Sequence, residues 1–375
     1  MAELKVRKAI VGYKRDSYLG RTTRLNPDVS PIDCAIGYGQ WGISTLAVEA
    51  HQHFEVSQVG RYPETTYDRL LKPALLERFS DARLWPEQIF FGHGSFGLAE
   101  RLIHKLIRPG VMLGIGPQFN EIPTEFVAAG GTYSPLPIEP PDFAFPRAEL
   151  LSTLRDTDCS VLYLDNPNNP LGRLLPLEEI RHLAEVALER GTLVLVDEAY
   201  GDSVDDEASA VHLLAHLPNL MVIRSFSKCL GLAAERVGYM FLSMQIARLY
   251  GELDLPFEPT LYAATLAAAT ARDREFLARM RDDVRSAKAQ LLATLARYDR
   301  YQVLPTHPST AVLTVGLAQG EIVSEMGEIG VAVEPGSAFR QTHGGFSDRF
   351  CRLRLPPAAR IGELCRRIER WNRAR

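Results

Sequence analysis

The 375-residue sequence lacks the features that mark membrane, secreted and nucleic-acid-binding proteins. No apolar run approaches the roughly 18–20 residues that span a bilayer, and the first 18 residues are too charged for a secretory signal peptide. The formal net charge is only −4, so the composition favours neither a nucleic acid nor an anionic membrane as partner. Apolar residues make up 46% and charged residues 23%, which is typical of a globular protein with a large core.

Patterns for disulfides and metal ions are also scarce. The five cysteines are scattered, and none forms a Cys-x-x-Cys pair. An odd number of unpatterned cysteines fits a reducing cytoplasm better than a disulfide framework. His51 and His53 form a lone His-x-His with no third ligand nearby in the sequence, so we expect no metal site. The composition therefore favours a cytoplasmic protein, and a small anionic ligand stays possible because local arginines matter more than the total charge.

Short apolar runs alternate with amphipathic stretches from about residue 86 onwards. Runs of this length, followed by Gly, Pro or Asp, are typical of buried strands, and the stretches 98–107 and 177–190 carry apolar residues at helical spacing. This alternation predicts an α/β fold with a mostly parallel central sheet and helices on both faces. Ligands bind such sheets outside the carboxyl ends of the strands, so residues that follow the runs are candidates for function. The runs are 89–91, 111–115, 161–164, 193–196, 221–223 and 239–242.

The pattern changes after about residue 255. A long helical stretch covers 261–298, and short strand-like runs and a last amphipathic helix follow it. We therefore predict a large domain over 46–260 and a smaller α+β domain over 261–375. Residues 1–45 are predicted to form an arm that packs on the small domain or on a partner subunit.

The first strand end carries the sequence GHGSFG at 92–97, which precedes a helical stretch. Glycines let the backbone approach a ligand, and free N–H groups at a helix start attract an anion, so we interpret this loop as a phosphate site. The string also matches the Gly-x-Gly-x-x-Gly of nicotinamide-binding folds. That motif needs an acid about 20 positions further on, whereas the next strand ends in Gly114–Pro117.

Three further strand ends carry polar residues. The sequence DNPNNPLG at 165–172 has two Asn-Pro steps that force a tight loop. Asp197 ends a buried strand, where a carboxylate is costly unless a cation or a donor meets it. Lys228 follows the next strand, with Arg236 eight residues later. Taken one at a time, the loop fits an ordinary turn, Asp197 fits a buried acid with hydrogen-bond partners, and Lys228 fits a solvated lysine. Their order at successive strand ends nevertheless favours one shared site.

These motifs resemble those of the class I/II aminotransferases, which are fold-type I enzymes of pyridoxal 5′-phosphate (PLP). The matching sequences are NPNNPLG at 166–172, DEAY at 197–200, and SFSK at 225–228 with Arg236. The resemblance extends from about residue 30 to 356, between the histidinol-phosphate aminotransferase-like and aspartate aminotransferase-like branches. It implies a fold-type I architecture, PLP as cofactor, an amino acid as substrate, and a homodimer with shared active sites.

The resemblance also implies a role for each matching residue. Lys228 forms the Schiff base with PLP and then serves as the base at the substrate Cα. Asp197 faces the pyridine nitrogen, whose protonated form a carboxylate favours. The other expected cofactor contacts are Asn169 and Tyr200 at the ring oxygen, Phe119 stacked on the ring, Gly94, Ser95, Phe96, Ser225, Ser227 and Arg236 around the phosphate, and Tyr62 reaching the phosphate of the other subunit.

The substrate contacts are implied by the later part of the chain. Arg352 matches the arginine that pairs with the α-carboxylate, but Arg354 lies on the same strand face and leaves the choice open. Glu334 stands where histidinol-phosphate enzymes usually carry an arginine for the substrate phosphate, and residues 37–42 replace their N-terminal Asn-Glu-Asn-Pro-type loop. Both departures predict an unphosphorylated substrate with a cationic or polar side chain. The expected contacts are Arg352, Arg354, Tyr38, Trp41 and Glu334.

Transamination to a 2-oxo acid is the expected reaction, but PLP enzymes choose their reaction by substrate pose. A decarboxylase, a β- or γ-replacement enzyme or a cyclising synthase would keep the same residues. Two other classes stay open at this point. One is a non-catalytic protein with the PLP fold, against which the intact Lys228 and Arg352 argue. The other is a nicotinamide-dependent oxidoreductase that uses the loop at 92–97.

Overall fold

The computed structural model describes residues 13–15, 23–36, 39–63, 67–140, 142–255 and 257–375. The described strands are β1 (Ile32–Asp33), β2 (Ile89–His93), β3 (Val111–Gly116), β4 (Thr132–Pro137), β5 (Cys159–Asp165), β6 (Leu193–Asp197), β7 (Leu220–Ser225), β8 (Val237–Leu242), β9 (Tyr301–Val303), β10 (Val312–Leu317), β11 (Val331–Ala332), β12 (Glu334–Pro335) and β13 (Phe350–Arg354). The described α-helices are α1 (Thr45–Gln52), α2 (Lys72–Arg78), α3 (Gly94–Arg101), α4 (Glu121–Ala128), α5 (Arg147–Asp156), α6 (Leu177–Glu189), α7 (Met244–Gly251), α8 (Leu261–Arg272), α9 (Arg274–Leu295), α10 (Ile322–Glu328) and α11 (Ala358–Arg373).

Seven strands form the central sheet, in the order β2-β8-β7-β6-β5-β3-β4. Strand β8 runs antiparallel to both of its neighbours, and the other pairings are parallel. Every residue of β5, β7 and β8 is buried, because helices cover both faces of the sheet. The predicted α/β fold with a mostly parallel sheet is therefore confirmed, and each predicted apolar run lies in one of its strands.

The later part of the chain forms a second, antiparallel sheet in the order β12-β13-β10-β9, where α9 packs on β9 and α11 packs on α9. The helical stretch predicted over 261–298 is divided in two. Asp273 caps α9 by accepting a hydrogen bond from Phe276 N at 2.9 Å, and it also accepts one from Ser44 Oγ at 2.7 Å. This cap explains why α8 ends and a new helix begins there.

The first described residues contact both parts of the fold. Tyr13 Oη donates to Thr124 O at 2.9 Å and Arg15 pairs with Glu121 at 3.1 Å, so this segment lies on α4. Residues 23–33 instead contact the later part of the chain, because Thr23 Oγ1 donates to Val333 O at 2.7 Å and β1 pairs with β11 in a separate two-stranded sheet. The described residues of the predicted N-terminal arm therefore contact α4, beside the central sheet, as well as the later part of the chain. None of the helices in the described chain has the length and apolarity that crossing a membrane requires.

Candidate active site

The carboxyl ends of β5, β6 and β7 meet at one edge of the central sheet. In the parallel register, Asp165 lies beside Asp197, and Asp197 lies beside Ile223 of β7. A cavity of about 180 Å³ opens at this edge, as expected for an α/β sheet. Its lining consists of Ile36, Ser95, Phe96, Phe119, Asp165, Pro167, Asn169, Asp197, Ala199, Tyr200, Ser225, Ser227, Lys228, Arg236 and Arg352.

Lys228 lies at the floor of this cavity, three residues after β7 ends. Its Nζ is 5.9 Å from the centroid of the Tyr200 ring. Desolvation lowers the pKa of Lys228, and the charges of Arg354 and Arg352 lower it further, although Tyr200 acts in the opposite direction. A lysine with a lowered pKa has a larger neutral fraction near pH 7, which is the form that attacks an aldehyde.

Asp197 is buried at the end of β6, with 4% of its surface exposed. Its Oδ1 accepts a hydrogen bond from Ala199 N at 2.9 Å. Burial raises the pKa of Asp197 to about 7, the charge of Asp165 raises it too, and Lys228 lowers it. A buried carboxylate at a cavity wall suits a cation in the cavity, and the protonated nitrogen of a pyridine ring supplies one.

Tyr200 is also buried, and it lines the same cavity. Burial alone would raise the pKa of Tyr200, but the charges of Lys228 and Arg352 outweigh it and lower the pKa. The phenol is therefore suited to a hydrogen bond with an oxygen of the cofactor ring. It is placed by the turn that follows β6.

A cradle suited to a phosphate group occupies one end of the cavity. Ser225 Oγ donates to Ser227 Oγ at 2.8 Å, and Arg236 Nη1 donates to Ser227 Oγ at 3.2 Å. Gly94 begins α3 with a φ of +73°, and a Cβ there would lie 2.5 Å from Arg236 Nη2. A helix start, two hydroxyls and an arginine together form a donor set that fits a phosphate dianion. The residues present therefore fit PLP.

The sequence does not reveal the role of Asp165, because the residue stands at the start of a segment that is typical of a tight turn. Its Oδ2 accepts hydrogen bonds from Phe119 N at 3.1 Å and from Asn169 N at 2.9 Å. These backbone groups belong to the two residues expected to face the ring. The only signal in the sequence was an acid at the end of a buried strand, which is the same signal that identified Asp197.

Arg352 and Arg354 are both buried on β13, but they have different surroundings. Arg352 lines the cavity, donates to Asn169 Oδ1 at 3.2 Å and to Ala35 O at 2.6 Å, and pairs with Glu334 Oε2 at 2.5 Å. Arg354 donates to the carbonyl of Ile36 and lies 3.3 Å from Gln40 Oε1. The residues that line the cavity include Arg352 and not Arg354, which favours Arg352 as the carboxylate contact.

The remaining predicted contacts lie elsewhere. Glu334 is buried beside Arg352, opposite it in the register of β12 and β13, and does not line the cavity. Trp41 packs against the hydrophobic core instead of the cavity. Tyr62 is 77% exposed and contacts Phe257, with ring centroids 5.3 Å apart. Tyr38 lies outside the described residues.

One group of metal-binding residue types lies away from this cavity. Glu100, His104 and Glu125 place possible ligand atoms within 4.8 Å of one another. His104 Nε2 is 2.7 Å from Glu125 Oε1, and Arg15 pairs with Glu125 at 3.0 Å. The carboxylate therefore already has a cationic partner, which makes a metal ion unfavourable there.

The chain is similar to known aminotransferases in sequence and in fold. A histidinol-phosphate aminotransferase of Methylobacillus flagellatus is 30% identical over 324 residues, which cover 86% of this chain and 84% of that one. An aromatic amino acid aminotransferase of Mycobacteroides abscessus is 29% identical over 281 residues, 74% and 78% of the two chains. The crystal structure of a histidinol-phosphate aminotransferase from Sinorhizobium meliloti in complex with pyridoxal-5′-phosphate has the same fold, with a TM-score of 0.76, 20% identity, and coverage of 92% and 91%.

The family model for aminotransferase class I and II matches residues 38–368, nearly the whole chain. The expected family is therefore confirmed, and with it the fold-type I architecture and the PLP cofactor. The match also decides against the nicotinamide-dependent alternative. This chain is a PLP-dependent enzyme that belongs to the class I and II aminotransferases.

Proposed function

We propose that this enzyme transfers the amino group of an amino acid, with Lys228 as the covalent anchor of PLP and Arg352 as the contact for the substrate α-carboxylate. The observation that carries the proposal is one cavity lined by Lys228, Asp197 and Arg352, with a phosphate-type donor set at one end. Bound PLP supplies a sink for the electrons of the bond that breaks at Cα. The chain supplies the groups that position the substrate and move its proton.

The roles of the residues follow from their surroundings. Asp197 offers a buried carboxylate to the ring nitrogen, and Ser225, Ser227 and Arg236 would hold the phosphate. Once the substrate amine had replaced it at the cofactor, the freed Nζ of Lys228 would take the proton from the substrate Cα, because its lowered pKa makes it a competent base near neutral pH. Arg352 orients the substrate by pairing with its carboxylate, since a planar guanidinium matches a carboxylate through two parallel hydrogen bonds.

Covalent anchoring is tested by reconstituting the protein with PLP, reducing it with borohydride and mapping the labelled peptide. We expect the label at Lys228 and not at Lys288, the fully buried lysine of α9, which serves as an internal control. Amino acids that shift the visible absorbance are then followed by product analysis. A 2-oxo acid supports transamination, whereas an amine or a side-chain replacement product would assign one of the alternative PLP reactions. Labelling elsewhere, or none, would refute the anchor.

The substrate side chain is proposed to lack a phosphate. Glu334 is buried and in contact with Arg352, so it cancels positive charge close to the carboxylate contact. A phosphate group on the substrate, close to the Arg352–Glu334 pair, would be attracted by the guanidinium but repelled by the Glu334 carboxylate. The test is a competition in which histidinol phosphate and phosphothreonine are titrated against unphosphorylated amino acids, including arginine. A clear preference for the phosphorylated compounds would contradict this proposal and leave the cofactor assignment standing.

A homodimer is proposed from an exposed apolar patch formed by residues 56–62 and Phe257. In the single chain Val56 is 74%, Val59 65% and Tyr62 77% exposed, which is unusual for large apolar side chains grouped together. The family resemblance supports the same assembly, because it implies that Tyr62 reaches the phosphate site of the second copy. Sedimentation of the active enzyme tests the claim, and a strictly monomeric active species would refute it. We also propose a cytoplasmic location, supported by five cysteines that are all buried and free.

A further inference from the structure

Asp165 is a buried carboxylate in the active site that the roles above do not use. It ends β5 and lies beside Asp197 in the parallel register. Register partners in neighbouring parallel strands are about 4.8 Å apart and direct their side chains to the same side of the sheet. Both side chains line the cavity, and Asp165 is only 8% exposed. A second acid therefore stands next to the expected partner of the ring nitrogen.

The hydrogen bonds of Asp165 connect two separate loops. Its Oδ2 accepts from Phe119 N at 3.1 Å and from Asn169 N at 2.9 Å. Phe119 lies between β3 and α4, whereas Asn169 lies in the loop after β5. One oxygen atom thus sets the distance between the residue expected to stack on the ring and the residue expected to contact the ring oxygen.

The other oxygen of Asp165 binds the residues that immediately precede Phe119 and Asn169 in the same two loops. Its Oδ1 accepts from Asn168 Nδ2 at 2.8 Å and from Gln118 Nε2 at 3.5 Å. Gln118 is fully buried, and its Oε1 accepts in turn from Ile115 N at 2.9 Å. Both loops are therefore tied to the end of β5 through the same side chain.

The four partners explain why the residue is an acid. All of them are donors, and only a carboxylate accepts on both of its oxygens. An asparagine would turn its NH₂ group towards two other donors and leave buried groups poorly paired. Burial raises the pKa of Asp165 and the hydrogen bonds from Asn169, Phe119 and Asn168 lower it, with a net pKa of about 6. The donors thus favour the ionised form at neutral pH.

We propose that Asp165 is a positioning residue that holds Phe119 and Asn169, the two residues expected to contact the cofactor ring, at a fixed separation. The proposal rests on the PLP site described above, because it concerns the residues that enclose the ring. It predicts that loss of Asp165 loosens the cofactor and its orientation while Lys228 still binds it. Asp165 acts through Phe119 and Asn169.

The test compares Asp165→Ala and Asp165→Asn with Asp158→Asn. Asp158 lies just before β5 at the opposite edge of the sheet and pairs with Arg108 at 3.1 Å, with both side chains about two-thirds or more exposed. A surface pair of this kind contributes little to stability, so its loss is a matched control. Each holoenzyme is assayed for its PLP dissociation constant and for the induced circular dichroism of bound PLP. The dichroism reports how firmly the ring is held and does not depend on turnover.

We expect the dissociation constant to rise by about tenfold or more in Asp165→Ala, because hydrogen bonds to a charged group are lost. The visible dichroism should fall in both Asp165 variants and stay at the wild-type level in Asp158→Asn. If Asp165→Ala fails to fold, Asp165→Asn carries the test alone. Wild-type affinity and dichroism in a folded Asp165 variant would overturn the proposal. Failure of the wild-type chain to bind PLP at Lys228 would instead refute the proposed function.

Discussion

Lys228 and Lys288 are both enclosed by protein, but their surroundings differ. Lys228 faces a cavity and has a tyrosine ring beside it. Lys288, on α9, is 0% exposed, and its Nζ donates to oxygens at 2.6 to 2.9 Å. Desolvation lowers the pKa of both lysines, in the case of Lys288 to about 7. The acceptors of Lys288 are Thr306 Oγ1, His307 O, Thr310 Oγ1 and Val312 O.

This difference teaches that a lowered pKa alone does not identify a catalytic lysine. Lys288 has three N–H groups for four acceptors, so its donors are used within the fold. Its two threonine partners also contact the loop that follows β5. Thr306 and Thr310 both donate to Gly172 O, at 3.2 and 2.9 Å. Gly172 ends the loop that carries Asn169 and has a φ of +71°. Lys288 is therefore a structural clamp, whereas Lys228 has room for a ligand.

The largest effect is expected when Lys228 is replaced by alanine. Lys228→Ala should abolish turnover, by about four powers of ten or more, because it removes both the covalent anchor and the base at Cα. Its free energy of unfolding should change little, since the side chain faces a cavity. The measurements are kcat and chemical denaturation of the apoprotein. Residual activity near the wild-type level would show that Lys228 is not the anchor.

Asp197→Ala should give the next largest effect. Loss of the carboxylate beside the ring nitrogen removes stabilisation of the transition state, and about 4 kcal/mol corresponds to a thousandfold lower kcat. Asp197→Asn should also be severe, because an amide carries no charge to favour the protonated ring. Steady-state kinetics with saturating PLP tests the effect separately from cofactor loss. A near-normal kcat in Asp197→Ala would contradict the assigned role.

Arg352→Lys should lower kcat/KM by about 10- to 100-fold, because a lysine cannot offer a carboxylate two parallel donors. Arg354→Lys is the matched control, two residues along the same strand and equally buried, with contacts to Ile36 and Gln40. The kinetic constants of both variants are compared for the same amino acid. An unchanged Arg352→Lys together with an impaired Arg354→Lys would transfer the carboxylate role to Arg354.

The fold could be predicted largely from the sequence, because buried parallel strands are continuous apolar runs. The missed strand of the central sheet is β4, and its residues explain why. Its sequence, TYSPLP, contains two prolines, and only one of its six residues is fully buried, as is typical of the outermost strand of a sheet. An edge strand needs fewer backbone hydrogen bonds and less apolar surface, so its sequence resembles a loop.

The candidate site was predictable where a residue follows a buried strand within a family motif, as for Lys228 and Asp197. Contacts between distant segments could not be predicted in the same way. The pairing of Arg352 with Glu334 depends on the register of β12 and β13, which neither segment encodes by itself. The same holds for Asp165, whose partner Phe119 lies 46 residues away. A single sequence gives the order of strand ends but not which loops they hold together.

The smallest expected effect on catalysis is that of Lys288→Met. We expect kcat/KM to remain within about tenfold of the wild type, because the residue contacts the active-site loop only through two threonines. The informative measurement is the free energy of unfolding as a function of pH. Lysine has a pKa of about 10.4 in an unfolded chain, against about 7 for Lys288 in the folded protein. Between these values the unfolded state binds more protons, so the stability of the wild type rises with pH.

The difference in unfolding free energy between wild type and Lys288→Met should therefore shift in favour of the wild type between about pH 7 and 10.4, and should be constant below pH 7, where both states keep the proton. Lys105→Met, at an exposed lysine that donates to Leu253 O, gives the background pH dependence of a lysine substitution. A difference that does not vary above pH 7 would mean that the four oxygens keep the ammonium charged. In that case Lys288 would be a permanent buried cation, and the two lysines would differ in charge as well as in access to the cavity.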